Sequence, residues 1–97
     1  EAPYSEIADR IHAVGCGAVG LELAGNSAEY PLWVLLGAPW ETTRLEWIVS
    51  DTDSARWSDP SFQACAVICE GCEDEAAVRG LPLAYEHGPL RLFLAAP

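Results

Sequence analysis

Residues 15–20 read GCGAVG and residues 69–72 read CEGC. The first has the form G-x-G-x-x-G, in which glycines let backbone amides approach the pyrophosphate of a dinucleotide. The second is a C-x-x-C, whose thiols can exchange electrons, hold a metal or close on each other. Cys16 and Cys65 bring the total to four cysteines in 97 residues. Which of these chemistries is open depends on the elements that carry the letters.

Tyr4 to Val14 sets Ile7, Ile11 and Val14 at helical spacing, with Glu6 and Asp9 near the helix start and Gly15 as its stop. AVGLELA, residues 18–24, alternates apolar and other residues as a strand does. PLWVLLG, reached through Asn26 and Glu29 in capping-box spacing, predicts a helix from Tyr30 to Gly37. RLEWIVS, residues 44–50, predicts a second strand. DTDSARWSDPSFQ allows at most one short helix, and ACAVICEG, residues 64–71, predicts a buried central strand. CEDEAAVRG suggests a helical turn. Strands near 82–86 and 90–95 flank His87, Gly88 and Pro89 as a hairpin. The alternation predicts a single α/β domain over 1–97. Its form is a small Rossmann-like sandwich with a mostly parallel sheet, strand order 2-1-3 for the first three strands, and a C-terminal β-hairpin. Glu22, Glu46, Glu86 and Arg91 fall on the alternate face of their strands. A sheet covered on both sides disfavours that, so this face is expected to be thinly covered or to dock on something else.

On this frame GCGAVG follows a helix and precedes a strand, the reverse of what a dinucleotide loop requires. No cofactor is expected. A ligand is expected instead at the carboxyl ends of the strands. Gly25, Asn26 and Ser27 after the first strand could take an anion, with Glu29 and Tyr30 next to them. Asp51 and Asp53 after the second suit a cation or sugar hydroxyls. All of these also serve as ordinary helix caps. Cys69–Cys72 occupies a position similar to that of the thioredoxin active site, but Glu70, Glu73, Asp74 and Glu75 disfavour a thiolate. A zinc site built on Cys65, Cys69 and Cys72 would need a fourth ligand, for which His87 is a candidate. Cys16 and Cys65 stand where neighbouring strands begin. The favoured pairing is therefore Cys16–Cys65 with Cys69–Cys72. No nucleophile–base pair stands out, and no metal site is assigned.

Fifteen Asp and Glu against five Arg, for a net charge of −10, argue against nucleic acid as a partner. There is no Met, and the chain opens at Glu1, so a processed protein or a piece of a longer one is expected.

GLELAGNSAEYPLWVLLG and RLEWIVSDTDSARWSDPSFQACAVIC, with Glu29-Tyr30-Pro31-Leu32-Trp33 the most specific part, resemble a segment of bacterial polytopic membrane glycosyltransferases. These enzymes are similar to dolichyl-phosphate-mannose protein mannosyltransferases. The resemblance spans roughly residues 5 to 72. It implies an extracytoplasmic domain on the periplasmic or extracellular face of the inner membrane, in a protein that transfers sugar from a lipid-linked donor. Its implied partners are the membrane domain of the same polypeptide and a glycan or protein acceptor. The catalytic carboxylates of such enzymes lie in the membrane part, so no catalytic residue carries over. An accessory or acceptor-recognition role is expected, with a thiol-disulfide oxidoreductase using Cys69 and Cys72, or a free-standing ligand-binding domain, as the alternatives.

Overall fold

The computed structural model describes residues 2–23, 34–35, 63–72 and 74–95, and the backbone of 44–47. Their elements are α1 (Ala2–Ala13), β1 (Ala18–Glu22), β2 (Arg44–Trp47), β3 (Ala66–Glu70), β4 (Ala77–Val78), β5 (Leu81–His87) and β6 (Leu90–Leu94).

Helix α1 ends where its glycine dictates. Gly15 has φ of 70°, its N–H donates to His12 O at 3.0 Å, and Cys16 N–H donates to Ile11 O at 3.2 Å. These two bonds make a Schellman motif with Gly15 at C′ and Cys16 at C″. Val14, predicted to share the buried stripe of Ile7 and Ile11, is instead 42% exposed, because it sits at the Ccap where the chain is already leaving the helix. The helix begins at Ala2, so Glu6 and Asp9 lie beyond its first turn.

The strands run in the order β2-β1-β3-β6-β5-β4. β1 pairs in parallel with β2 and β3, whereas β3–β6, β6–β5 and β5–β4 are antiparallel. The expected mostly parallel Rossmann-like sandwich is therefore overturned. The sheet is mixed, antiparallel ladders outnumber parallel ones, and α1 is the one helix of full length among the described residues. The parallel arrangement is confined to the first three strands. The reason lies after β3. A parallel crossover takes about a dozen residues or more. The stretch Gly71–Gly80 is shorter and holds β4, where a helical turn was expected. The chain reverses at Gly71, whose φ is 95°, and returns through two hairpins.

Both hairpins have two-residue loops. Arg79 and Gly80 both have positive φ (51° and 79°), as a type I′ turn requires. Gly88, with φ of 60°, precedes Pro89 between His87 and Leu90, which suits type II′. β5 carries a register irregularity between Leu83 and Tyr85.

One sheet face packs on α1. Val19, Leu21, Ala66, Ile68, Leu90, Leu92 and Leu94 form a single core with Ile7, Ala8 and Ile11. Arg10 ties the helix to β5: it bonds Glu6 at 2.7 Å, reaches Ala84 O at 3.3 Å, and stands 4.8 Å from the Tyr85 ring centroid. The other face carries Val67, Cys69, Leu81 and Phe93. Its thin cover, expected from the alternating charges, holds only at the margins. Val67, Cys69 and Phe93 have no exposed surface, while Glu22 is half-buried and Glu86 exposed. β6 is buried along its whole length, as a strand between two neighbours and two covered faces should be.

Of the run predicted as a second helix, Val34 and Leu35 are described; they are helical and exposed. No helix among the described residues is long and apolar enough to cross a membrane.

Candidate functional site

All four cysteines are paired: Cys16 with Cys65, across a separation of 49 residues, and Cys69 with Cys72, across three. This is the pairing favoured from the sequence. The Schellman end of α1 presents Cys16 to the first residue before β3, with Cα atoms 5.9 Å apart. Cys65 N–H donates to Ala18 O at 2.9 Å, and both sulfurs pack 3.4 Å from that same oxygen. With no hydrogen left on sulfur, these are packing contacts. They seat the bridge at the amino ends of β1 and β3.

The second disulfide lies toward the other end of β3, within a row that crosses four strands. Glu22 on β1 faces Cys69 on β3, Cys69 faces Arg91 on β6, and Arg91 faces Glu86 on β5. Strand alternation puts all four on the sheet face opposite α1. Three of these residues had been assigned to one face from the alternation alone. The register that lines them up with a cysteine had no sequence signal, because it depends on pairing across distant segments.

Arg91 is 8% exposed. One guanidinium nitrogen, Nη1, donates to Gly88 O and contacts Leu90 O at 3.4 Å. Nε lies 3.1 Å from Glu86 Oε1, yet it is enclosed and makes no aligned hydrogen bond. The guanidinium thus closes the β5–β6 turn, and the carboxylate that neutralises it reaches solvent. An ion pair with one exposed partner is worth at most about 1 kcal/mol.

At the disulfide itself, Cys69 is fully buried and Cys72 half-buried. One carboxylate oxygen of Glu22 and the two sulfurs all lie within 4.8 Å of one another. Among the described residues, those after Cys72 form a turn and β4, where a thioredoxin-type site has a helix N-terminus that favours a thiolate. The zinc set weighed from the sequence is not assembled: Cys65 is bonded to Cys16 at the far end of β3, and His87 lies exposed at the end of β5.

The predicted ligand residues Gly25, Asn26, Ser27, Glu29, Tyr30, Asp51 and Asp53 lie outside the described residues. What the structure brings together in their place is Glu22, Cys69, Cys72, Arg91 and Glu86. Glu22 ends β1 and Cys69 is next to last in β3. The cluster therefore sits near the carboxyl ends of β1 and β3, on the face opposite α1.

No family model, curated protein or solved structure matches this chain significantly.

Proposed function

We propose that this chain is an extracytoplasmic accessory domain, on the periplasmic or extracellular face of the bacterial inner membrane, of a membrane glycosyltransferase that uses a lipid-linked sugar donor. In this reading it contacts the membrane domain of its own polypeptide and helps to recognise a glycan or protein acceptor. It is not catalytic by itself.

The observation that carries the reading is the complete oxidation of the cysteines. Disulfides persist in oxidising compartments and are rare where glutathione and thioredoxin keep thiols reduced. Two bridges in a chain of 97 residues suit a secreted or periplasmic module, and a domain of this size gains much from staples. The transferase part of the reading rests on the resemblance of residues 5–72, centred on Glu29-Tyr30-Pro31-Leu32-Trp33. Cys69 is enclosed, and the described residues after Cys72 form a turn and β4 where a thioredoxin-type site has a helix, which weighs against the oxidoreductase alternative.

The test uses the full-length polypeptide in intact cells. After treatment with a membrane-impermeant reductant, an impermeant maleimide should label these cysteines, and without reduction it should not. Labelling that requires cell lysis, or four free thiols in the native protein, overturns the location. Deleting the domain should lower sugar transfer to acceptor while leaving donor binding intact. Unchanged transfer overturns the acceptor role.

A further inference from the structure

We propose that Glu22, Cys69 and Cys72 form a redox-gated site for a thiophilic divalent cation, with zinc the best fit. The site is closed while the disulfide stands and opened when it is reduced. This inference is independent of the glycosyltransferase reading.

The geometry is that of a C-x-x-C knuckle beside a carboxylate. Cys69 and Cys72 have Cα atoms 6.0 Å apart around Gly71, whose φ of 95° favours glycine. A Cβ built on Gly71 would meet nothing within 4 Å, so the turn is open on that side. Glu22, held opposite Cys69 by the parallel β1–β3 register, supplies an oxygen, and the three donor atoms already lie within 4.8 Å of one another. Around a tetrahedral zinc with Zn–S near 2.3 Å, two thiolate sulfurs stand about 3.8 Å apart. Breaking the disulfide frees the two side chains to rotate toward that spacing. The fourth position falls to water, entering from the half-buried Cys72 and Glu22 side.

Ligand type and charge select the ion. Two sulfurs and one oxygen suit zinc, whereas magnesium and calcium call for oxygen alone. Two thiolates and a carboxylate exceed a divalent charge by one. That single excess negative charge is left to solvent on the half-buried Glu22 and Cys72 side, since the Arg91 charge is already matched by Glu86.

The chemistry balances in two steps. A dithiol gives two electrons and two protons to the Cys69–Cys72 bond, which becomes two thiols while the dithiol becomes a cyclic disulfide. The cation then binds sulfur and displaces both thiol protons to solvent. In the reverse direction a disulfide takes two electrons from the two thiolates and two protons from solvent, becoming a dithiol, while the Cys69–Cys72 bond re-forms and the ion is released.

The experiment titrates zinc, in competition with a chromophoric chelator, into the whole chain before and after anaerobic reduction. Cobalt serves in parallel as a spectroscopic probe. One zinc should bind per reduced chain, with thiolate-to-cobalt charge-transfer absorption, and none should bind the oxidised chain. Outer-shell losses cost metal sites about 10–100-fold in affinity, so losing a ligand in Glu22→Gln should cost at least about tenfold. Cys72→Ser, which leaves one thiolate at the site, should weaken both the charge-transfer signal and the affinity. Equal affinity in reduced wild type and Glu22→Gln, or binding by the oxidised chain, overturns the proposal. If reduction unfolds the protein, zinc should restore the circular dichroism of the wild type and not of Glu22→Gln. Failure to restore it, or equal restoration in both, overturns the proposal as well.

Discussion

Cys69 and Arg91 face each other across the β3–β6 ladder, and Glu22 faces Cys69 from the opposite side. A disulfide sulfur, a carboxylate and a guanidinium are thereby aligned on one sheet face by three strands that are distant in sequence. Arg91 holds the β5–β6 turn through Gly88 O and meets Glu86 beyond it. Its role is architectural.

The two disulfides should differ in their contribution to stability. Closing a separation of 49 residues restricts the unfolded chain far more than closing one of three. Loop-closure entropy gives about 4 kcal/mol for the first and about 2 kcal/mol for the second. Urea unfolding of Cys16→Ala/Cys65→Ala beside Cys69→Ala/Cys72→Ala checks the ranking. Equal losses would show that chain entropy does not govern it.

Gly15→Ala should destabilise the protein by about 1 kcal/mol. The φ of 70° there, rather than space, is the obstacle, since a Cβ at Gly15 would meet nothing within 4 Å. A thermal midpoint equal to wild type would mean that α1 can end another way.

Arg79→Asn should stabilise by up to about 1 kcal/mol. Arg79 is the one described non-glycine residue with positive φ, at the position of a type I′ turn where Asn is favoured. Denaturant midpoints of the two proteins decide it, and a fall in midpoint would contradict the turn assignment.

Arg91→Met should cost about 1–2 kcal/mol, because it leaves Gly88 O without its donor while keeping an apolar stem among Cys69 and Phe93 neighbours. Glu86→Gln should cost less than about 1 kcal/mol, since Glu86 is exposed. Comparable losses for both would indicate that the ion pair, not the turn bond, is what Arg91 contributes.

Phe93→Ala should be the most damaging of these single substitutions, at about 3–5 kcal/mol, as it empties the centre of the face opposite α1. Far-UV circular dichroism during guanidinium unfolding measures it.

Local pattern made much of this architecture legible. Ile7, Ile11 and Gly15 marked a helix and its stop; Val19 and Leu21 alternated; Gly88-Pro89 marked a hairpin; and the cysteines before neighbouring strands suggested their bridge. The parallel order 2-1-3 of the first three strands and the antiparallel closing hairpin were legible, but that β6 returns antiparallel to β3 was not, because it depends on how the chain returns after Cys72, and two residues of β4 are too few to show a period. The candidate cluster was half legible. Glu22, Glu86 and Arg91 could be assigned to one face from alternation, but only long-range register puts Cys69 between Glu22 and Arg91.

The Cys16–Cys65 bond turns the chain between them into a covalent ring that joins the end of α1 to the start of β3. A protease that cut once anywhere inside that ring would leave one molecule, not two. The nicked protein would keep its mass on a non-reducing gel and come apart only when reductant was added.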